Sequence, residues 1–388
     1  MTSYDCIVVG CGAVGSAAAY HLARRGQRVL ALDRFTPPHD RGSSHGRTRM
    51  IRQAYFEHPD YVPLVLRAYR LWEELSAAVA TSDEPPLFQE TGLLEIGPPS
   101  GIVVPGVLSA ASAHGLAVDS LTADEIHRRF PGFRVPVGMV GVFERHAGFL
   151  RVERCIAAHV GLARDLGADL RFDEPAFSWR PDGSGVEVST THGTYRAARL
   201  ILTAGAWAGS LLTDLGIPLV VRRKPQYWFA PIAAEYALAA GCPSFLYETV
   251  DDRGQPAGVF YGFPVVGPEG LKCAEHSGGR PVADPANLDK AVDPIDLARV
   301  QNFLRTYMPG VTPTMIDHAP CMYTMSPDEN FLVDRHPQHS QVAFVAGLSG
   351  HGFKFACVLG EALADLATTG ETALPIEFLS CRRLAGRL

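Results

Sequence analysis

The apolar and polar positions of the chain alternate in blocks that predict its elements. Ile7, Val8 and Val9 form an apolar run into Gly10, an Ala-rich helical stretch covers 16–25, and a second apolar run covers 29–32. Gly26 closes the helix between them. Helical spacing returns at Leu64, Ala68, Leu71 and Leu75, with Val65 and Trp72 widening the stripe. Pro85-Pro86 and Pro98-Pro99 bracket a short apolar strand over 92–97. The pattern then predicts a helix over 152–166, a strand over 168–172 and a hairpin over 185–195. A buried strand from Arg199 ends in the small residues Ala204, Gly205 and Ala206, which let backbone approach a ligand. Residues 217–320 alternate strands with Pro/Gly loops and hold one clear helix over 294–307. An apolar strand over 342–347, a Gly-rich turn and a helix over 354–368 complete the series.

This order predicts an α/β chain: a Rossmann-like, ligand-binding sheet built from early, middle and late segments, with a mixed-sheet α+β substrate domain inserted. The boundaries that follow are 1–85, 147–216 and 321–388 for the first domain, and 86–146 with 217–320 for the second. A chain of 388 residues suits two domains.

The most specific local pattern is Gly10-Cys11-Gly12-Ala13-Val14-Gly15 between a strand and a helix, with Asp33 ending the next strand. Gly10 makes the tight turn, Gly12 admits a pyrophosphate against the backbone, and Gly15 lets helix and strand pack. Asp33, about 20 residues on, is placed for ribose hydroxyls. A dinucleotide cofactor is therefore expected.

Composition removes other classes. A formal charge of −6 gives no basic footprint for nucleic acid and no polybasic stretch for a membrane. No apolar run reaches ~18 residues, and the chain enters its first strand at once, so a soluble cytoplasmic protein without a cleavable leader is expected. The eight cysteines are scattered, with no Cys-x-x-Cys pair and no zinc spacing, which predicts thiols and no metal.

Four clusters carry candidate chemistry. In Thr48-Arg49-Met50-Ile51-Arg52-Gln53-Ala54-Tyr55, the three-residue spacing of Arg49, Arg52 and Tyr55 predicts one helical turn that points all three to one side. Two guanidiniums on one face suit a carboxylate, a phosphate or an anionic ring, or simply a solvated basic face. Pro320-Cys321-Met322-Tyr323-Thr324 offers a thiol, although a lone cysteine is more often a small buried hydrophobe. Ser349-Gly350-His351-Gly352-Phe353-Lys354 reads as a cofactor-side turn or an ordinary tight turn. Tyr261 with Lys272 and His276 closes the set; Lys272 is either desolvated and active or exposed. The polar segment 42–49, with Ser43 and Ser44, is long for a loop without a purpose.

Together these residues resemble the flavin-dependent amine oxidases of the monomeric sarcosine oxidase and N-methyltryptophan oxidase type. The resemblance runs nearly the whole chain and is strongest at 42–55, at Cys321-Met322-Tyr323-Thr324 and at 349–355. It implies FAD, held covalently by a thioether from Cys321 to the methyl group at ring position 8. It further implies Arg49 over one face of the ring with Thr48 near it, and Arg52 with Lys354 as a clamp for the substrate carboxylate. Lys272 is implied beside the ring, promoting reaction with oxygen; Tyr261 and His276 are implied in catalysis and on the cavity wall. Tyr55, Tyr323 and His351 are implied in the substrate pocket, and Ser43, Gly350, Gly352 and Lys354 about the cofactor. The implied reaction is oxidation of a small secondary (N-methyl or cyclic) amino acid by molecular oxygen to an imine and hydrogen peroxide, by a monomer. A dehydrogenase using another acceptor and a non-catalytic flavin-binding protein share most of these residues. The chain departs from its relatives at Gln53 and Ser44, where they carry histidine, and at Glu275 within 273–275. Its 249–259 loop reads as longer than in the sarcosine enzyme and as shaping the substrate entrance.

Overall fold

A computed structural model describes residues 4–384; the outermost residues of the predicted first and last segments, 1–3 and 385–388, lie outside it. The glycine turn organises the first sheet. Four strands, Asp169–Arg171, Val29–Leu32, Tyr4–Val9 and Gly193–Leu202, run parallel in that order, and Val342–Ala346 pairs parallel with the last of them. The Ala176–Asp182 and Gly185–Thr190 strands extend the edge as an antiparallel ribbon, and Leu332–Arg335 pairs with Val342–Ala346. Early, middle and late segments thus share one sheet.

Residues alternate between its faces as a strand must. Cys6 and Val8 pack with Leu22, Leu64, Trp72 and Leu359 under the helices. Ile7, Val9, Leu30 and Leu32 pack on the opposite side with Val188, Leu200 and Phe344. The helix expected over 16–25 begins earlier, as Ala13–Arg24, because glycine and alanine continue without a break from the turn. The expected 354–368 helix opens as a 3-10 turn, Phe353–Phe355, before Ala356–Thr368.

The second sheet has eight strands, ordered Val311–Met325, Val220–Pro231, Leu271–Glu275, Pro256–Phe263, Ser244–Val250, Leu93–Gly97, Val140–Glu144 and Asp119–Thr122. Only Ser244–Val250 and Leu93–Gly97 pair parallel. One face carries Leu94, Tyr227, Phe229, Phe245 and Phe260 into a core closed by Phe303 and Leu304 of the helix Pro294–Tyr307. Period two sends the intervening residues, Glu95, Leu246, Tyr261 and Lys272, to the other face. A small sheet of Thr48–Ile51, Gly148–Arg151 and Phe88–Glu90 lies between the two. The expected boundary at 321 falls inside the Val311–Met325 strand, which therefore belongs to the second sheet along its whole length. No helix among the described residues is long and apolar enough to cross a membrane.

Packing of the last helix on the first depends on Gly360. A Cβ there would lie 2.6 Å from Ala17 Cβ and 2.7 Å from the Ala18 nitrogen. Gly360→Ala is expected to cost about 1–3 kcal/mol through overpacking and to lower Tm in thermal denaturation; an unchanged Tm would contradict close packing at this contact.

Candidate active site

The ends of four parallel strands, marked by Val9, Leu32, Thr203 and Ala346, open on a cavity of about 380 Å³. Its wall continues through Gly12, Asp33, Ser43, Arg49, Gly350 and Gly352. A methyl group at Gly10 would lie 2.6 Å from Thr203 O, and one at Gly15 1.7 Å from Gly10 O, so the turn excludes side chains. The helix Ala13–Arg24 has no side-chain cap, and Gly12, Ala13 and Val14 line the wall. An uncapped helix N-terminus presents free N–H groups to an anion. The Asp33 carboxylate is fixed at the wall by the amides of Cys11 (2.5 Å) and Phe35 (2.9 Å). Glycine cradle, uncapped helix and fixed acid together fit a dinucleotide such as FAD.

A second cavity, about 50 Å³, shares Arg49, Tyr323, Gly350 and Phe353 with the first and adds Arg52, Tyr261, His276, His351 and Lys354. The wall common to both is therefore where a cofactor and a small molecule would meet.

Arg49 anchors that wall. Its guanidinium donates to Ser43 O (2.9 Å), Thr48 O (2.9 Å), Gln226 Oε1 (3.1 Å) and Cys321 Sγ (3.4 Å). Burial would raise the Cys321 thiol, but the Arg49 charge beside it prevails and brings it down to about 6. At other thiols burial prevails and pushes the group up, as at Cys11 and Cys273, and at Cys6 and Cys155 despite nearby arginines. All eight cysteines are unpaired.

Arg52 already holds a carboxylate. Its Nη2 donates to both oxygens of Glu57 (2.8 and 2.7 Å), and Nη1 to Ala54 O (2.9 Å). Burial acts to raise Glu57, yet Arg52, His351 and Lys354 hold it down at about 2. Lys354 Nζ donates to His351 O (2.9 Å) and Tyr55 OH (3.4 Å); burial, with Arg52, lowers it to about 7. Burial keeps His276 neutral, at about 3, with Nδ1 3.3 Å from Tyr323 OH.

Lys272 is buried but is not on either cavity's wall. Its Nζ donates to Gly46 O (2.6 Å), Thr48 O (2.9 Å) and Thr48 Oγ1 (3.3 Å), behind the segment that carries Arg49. Burial and the Arg49 charge lower its pKa well below the usual lysine range.

Several expectations need correction. Arg49, Arg52 and Tyr55 do not share a helical turn: Thr48–Ile51 is a strand paired with Gly148–Arg151. The two arginines converge because the chain turns after Ile51, where the buried Glu144 carboxylate accepts from the Gln53 and Ala54 amides (2.6 and 2.9 Å). Tyr55 is fully buried behind the second cavity, packed on Tyr61 and Phe355 with its OH against His351 Nδ1. The 249–259 loop is a hairpin: its ends lie in strands, and only 251–255 turn, away from both cavities.

Sequence reasoning passed over Glu57, Gln226 and Glu95. An acid five residues after Arg52, and a lone acid inside the apolar 92–97 run, were the available signals. Among the described residues, Asp214, His336 and His339 form one group with metal-like spacing. His336 Nδ1 accepts the Gln338 amide (3.3 Å), and its Nε2 lies 2.9 Å from the Asp214 carboxylate, an ion-pair distance.

The profile of the FAD dependent oxidoreductase family (DAO) matches residues 5–366. Monomeric sarcosine oxidase of Streptomyces avermitilis is 42% identical over 387 residues, 99% of this chain and 98% of that protein. N-methyl-L-tryptophan oxidase of Citrobacter koseri is 41% identical over 365 residues, 94% of each. Among solved structures, NikD, an unusual amino acid oxidase essential for nikkomycin biosynthesis, superposes with a TM-score of 0.84 at 28% identity, covering 98% of both chains.

In flavin-free protein, alkylation of Cys321 followed by site-resolved mass spectrometry is expected to rise with pH through about 6 and then level, because the thiolate is the reactive form. In Arg49→Met burial is opposed only by His45 and the backbone of Met322, and the midpoint should move upward from about 6. An unchanged midpoint would contradict the role given to Arg49.

Proposed function

The chain belongs to the DAO family of FAD-dependent oxidoreductases and is an FAD-dependent amine oxidase; from that premise we propose that it acts on small secondary amino acids, N-methylglycine (sarcosine) first. The observation that carries this reading is the pairing of a carboxylate-holding arginine with a buried lysine, Arg52 and Lys354, on a cavity that shares a wall with the cofactor cavity.

In this reading the substrate carboxylate takes the place of Glu57 on the Arg52 fork and draws Lys354 into its charged form. A guanidinium fork holds a carboxylate by two parallel hydrogen bonds, which fixes orientation as well as affinity. The free space of about 50 Å³ favours a small substrate over one with an aromatic side chain. Tyr261, Tyr323 and neutral His276 surround the remaining end, so no carboxylate there stabilises an ammonium and the amine binds without its proton. Bound FAD supplies acceptance of two electrons and hydrogen from the C–H beside nitrogen, and their delivery to oxygen. The chain's own contribution is orientation, exclusion of water and fixed positive charge.

Cys321 is the proposed thioether attachment point, supported by its low thiol pKa beside Arg49. Lys272, with Thr48, is the proposed oxygen-activating element: its Nζ, held by carbonyl oxygens behind Arg49 and lowered in pKa, takes up positive charge as negative charge builds beside it and so favours the anions formed as oxygen is reduced. Arg49, Ser43, Gly350 and Gly352 are the proposed ring-side contacts, and Gly10, Gly12, Gly15 and Asp33 the proposed contacts for the rest of the cofactor. The same reading carries residues 1–85 and 147–216, with the chain that follows the Val311–Met325 strand, as the FAD-binding part, hydrogen peroxide as product, and a cytoplasmic chain that works singly.

A peroxide-coupled screen of purified enzyme against secondary amino acids is expected to give sarcosine the highest kcat/KM; turnover with dyes but no peroxide under air would favour a dehydrogenase. Acid precipitation should leave wild type as a yellow pellet and Cys321→Ala as a colourless one with flavin in the supernatant. Extractable flavin from wild type would end the covalent assignment. Lys272→Met should slow reoxidation by oxygen by at least about a hundredfold, the scale of a lost transition-state charge contact, and anaerobic reduction far less. Equal slowing of both half-reactions would count against that role.

A further inference from the structure

Glu95 occupies the middle of the Leu93–Gly97 strand, fully buried, and neither of its carboxylate oxygens has a hydrogen-bond partner. Its register places it beside Leu246, which in turn pairs with Tyr261. Residues paired across neighbouring strands point to the same face. Glu95 therefore extends the row whose other members, Leu246 and Tyr261, wall the second cavity. Its Oε1 lies 3.8 Å from Arg52 Nε, whereas Glu57 is held by Nη2. Arg52 thus stands between two carboxylates, one bonded to it and one unanswered.

We propose that Glu95 is a specificity-determining residue that competes with the substrate carboxylate for Arg52 and so sets how tightly carboxylate-bearing substrates bind. The inference rests on the reading of Arg52 and Lys354 as the carboxylate clamp. Burial pushes Glu95 up to about 8; Arg52 and Lys354 oppose the rise, and Glu144 and Glu57 add to it. Below that pH the acid is protonated and neutral, and an incoming carboxylate contends with Glu57 alone. Above it, ionised Glu95 gives Arg52 a second fixed anion and places a like charge beside the ligand's own. Affinity for a carboxylate therefore falls as pH rises through about 8. Lys354, lowered to about 7, loses its charge over a neighbouring range and acts in the same direction. Comparison with a variant at position 95 separates the two.

The test is titration of the flavin-loaded enzyme with methoxyacetate, the ether counterpart of sarcosine, which keeps the carboxylate and lacks the amine. Binding is followed by the change in flavin absorbance at about pH 7 and about pH 9. The dissociation constant of Glu95→Gln should lie within about twofold of wild type at the lower pH and be roughly tenfold tighter at the higher, one unit of coupled ionisation. Glu95→Leu should show the same trend, which assigns the effect to charge and covers a glutamine variant that folds poorly. A wild-type-to-variant ratio that stays constant across pH in both variants overturns the role of Glu95 while leaving the clamp standing. Binding that survives Arg52→Ala overturns the clamp itself, and this inference with it.

Discussion

A cation buried among apolar walls persists only where other groups answer its charge, and the whole site is arranged around that requirement. Four cations gather about the shared wall, and each is answered differently. Lys272 has only neutral dipoles, the Gly46 and Thr48 carbonyls and the Thr48 hydroxyl. Arg49 has carbonyls, an amide oxygen and the Cys321 sulfur. Arg52 has the Glu57 carboxylate, with Glu95 further off. Lys354 has the His351 carbonyl and the Tyr55 hydroxyl. The weaker the answer, the more readily a group gives up its proton, which is why both lysines are lowered while Arg52 stays charged.

Two sheets share the task of positioning these groups. The first sheet and its glycine turn build the long cavity; the second presents Tyr261, Leu246 and Lys272 from one face by simple alternation. The Val311–Met325 strand joins the two functions, pairing with Val220–Pro231 along the second sheet while delivering Cys321 against Arg49 and Tyr323 to the shared wall. In that pairing Lys224 lies opposite Cys321, so the thiol is fixed by backbone hydrogen bonding as well as by charge. The small sheet between them does the same for Arg49, and the buried Glu144 bends the chain so that Arg52 follows it into the second cavity.

Much of this was legible in the residues. Gly10, Gly12, Gly15 and Asp33 declare a turn whose tolerance for side chains is set by backbone geometry alone, and local sequence records such constraints well. The 294–307 helix was likewise plain, with Asp293 capping it and proline at its first position. The Arg49 to Tyr55 segment misled because three-residue spacing suits a helix equally well, and its strand is imposed by pairing with residues about a hundred positions away. Tyr55 carries a hydroxyl that suggests a cavity wall, yet its ring is claimed by Tyr61 at the start of the next helix and by Phe355 from the distant Phe353–Phe355 turn. Glu57, Glu95 and Glu144 escaped notice for a related reason: an acid reads as surface until the cation that buries it is known to lie opposite.

The most direct measurement of the central claim is the visible flavin band of the purified enzyme, recorded without air before and after addition of sarcosine, beside N-methylethylamine, which carries the same secondary amine and no carboxylate. A bound flavin facing an Arg52–Lys354 clamp predicts that sarcosine bleaches the band, that air restores it, and that N-methylethylamine at the same concentration leaves it unchanged. A band that neither compound bleaches, or that both bleach equally, would contradict the account.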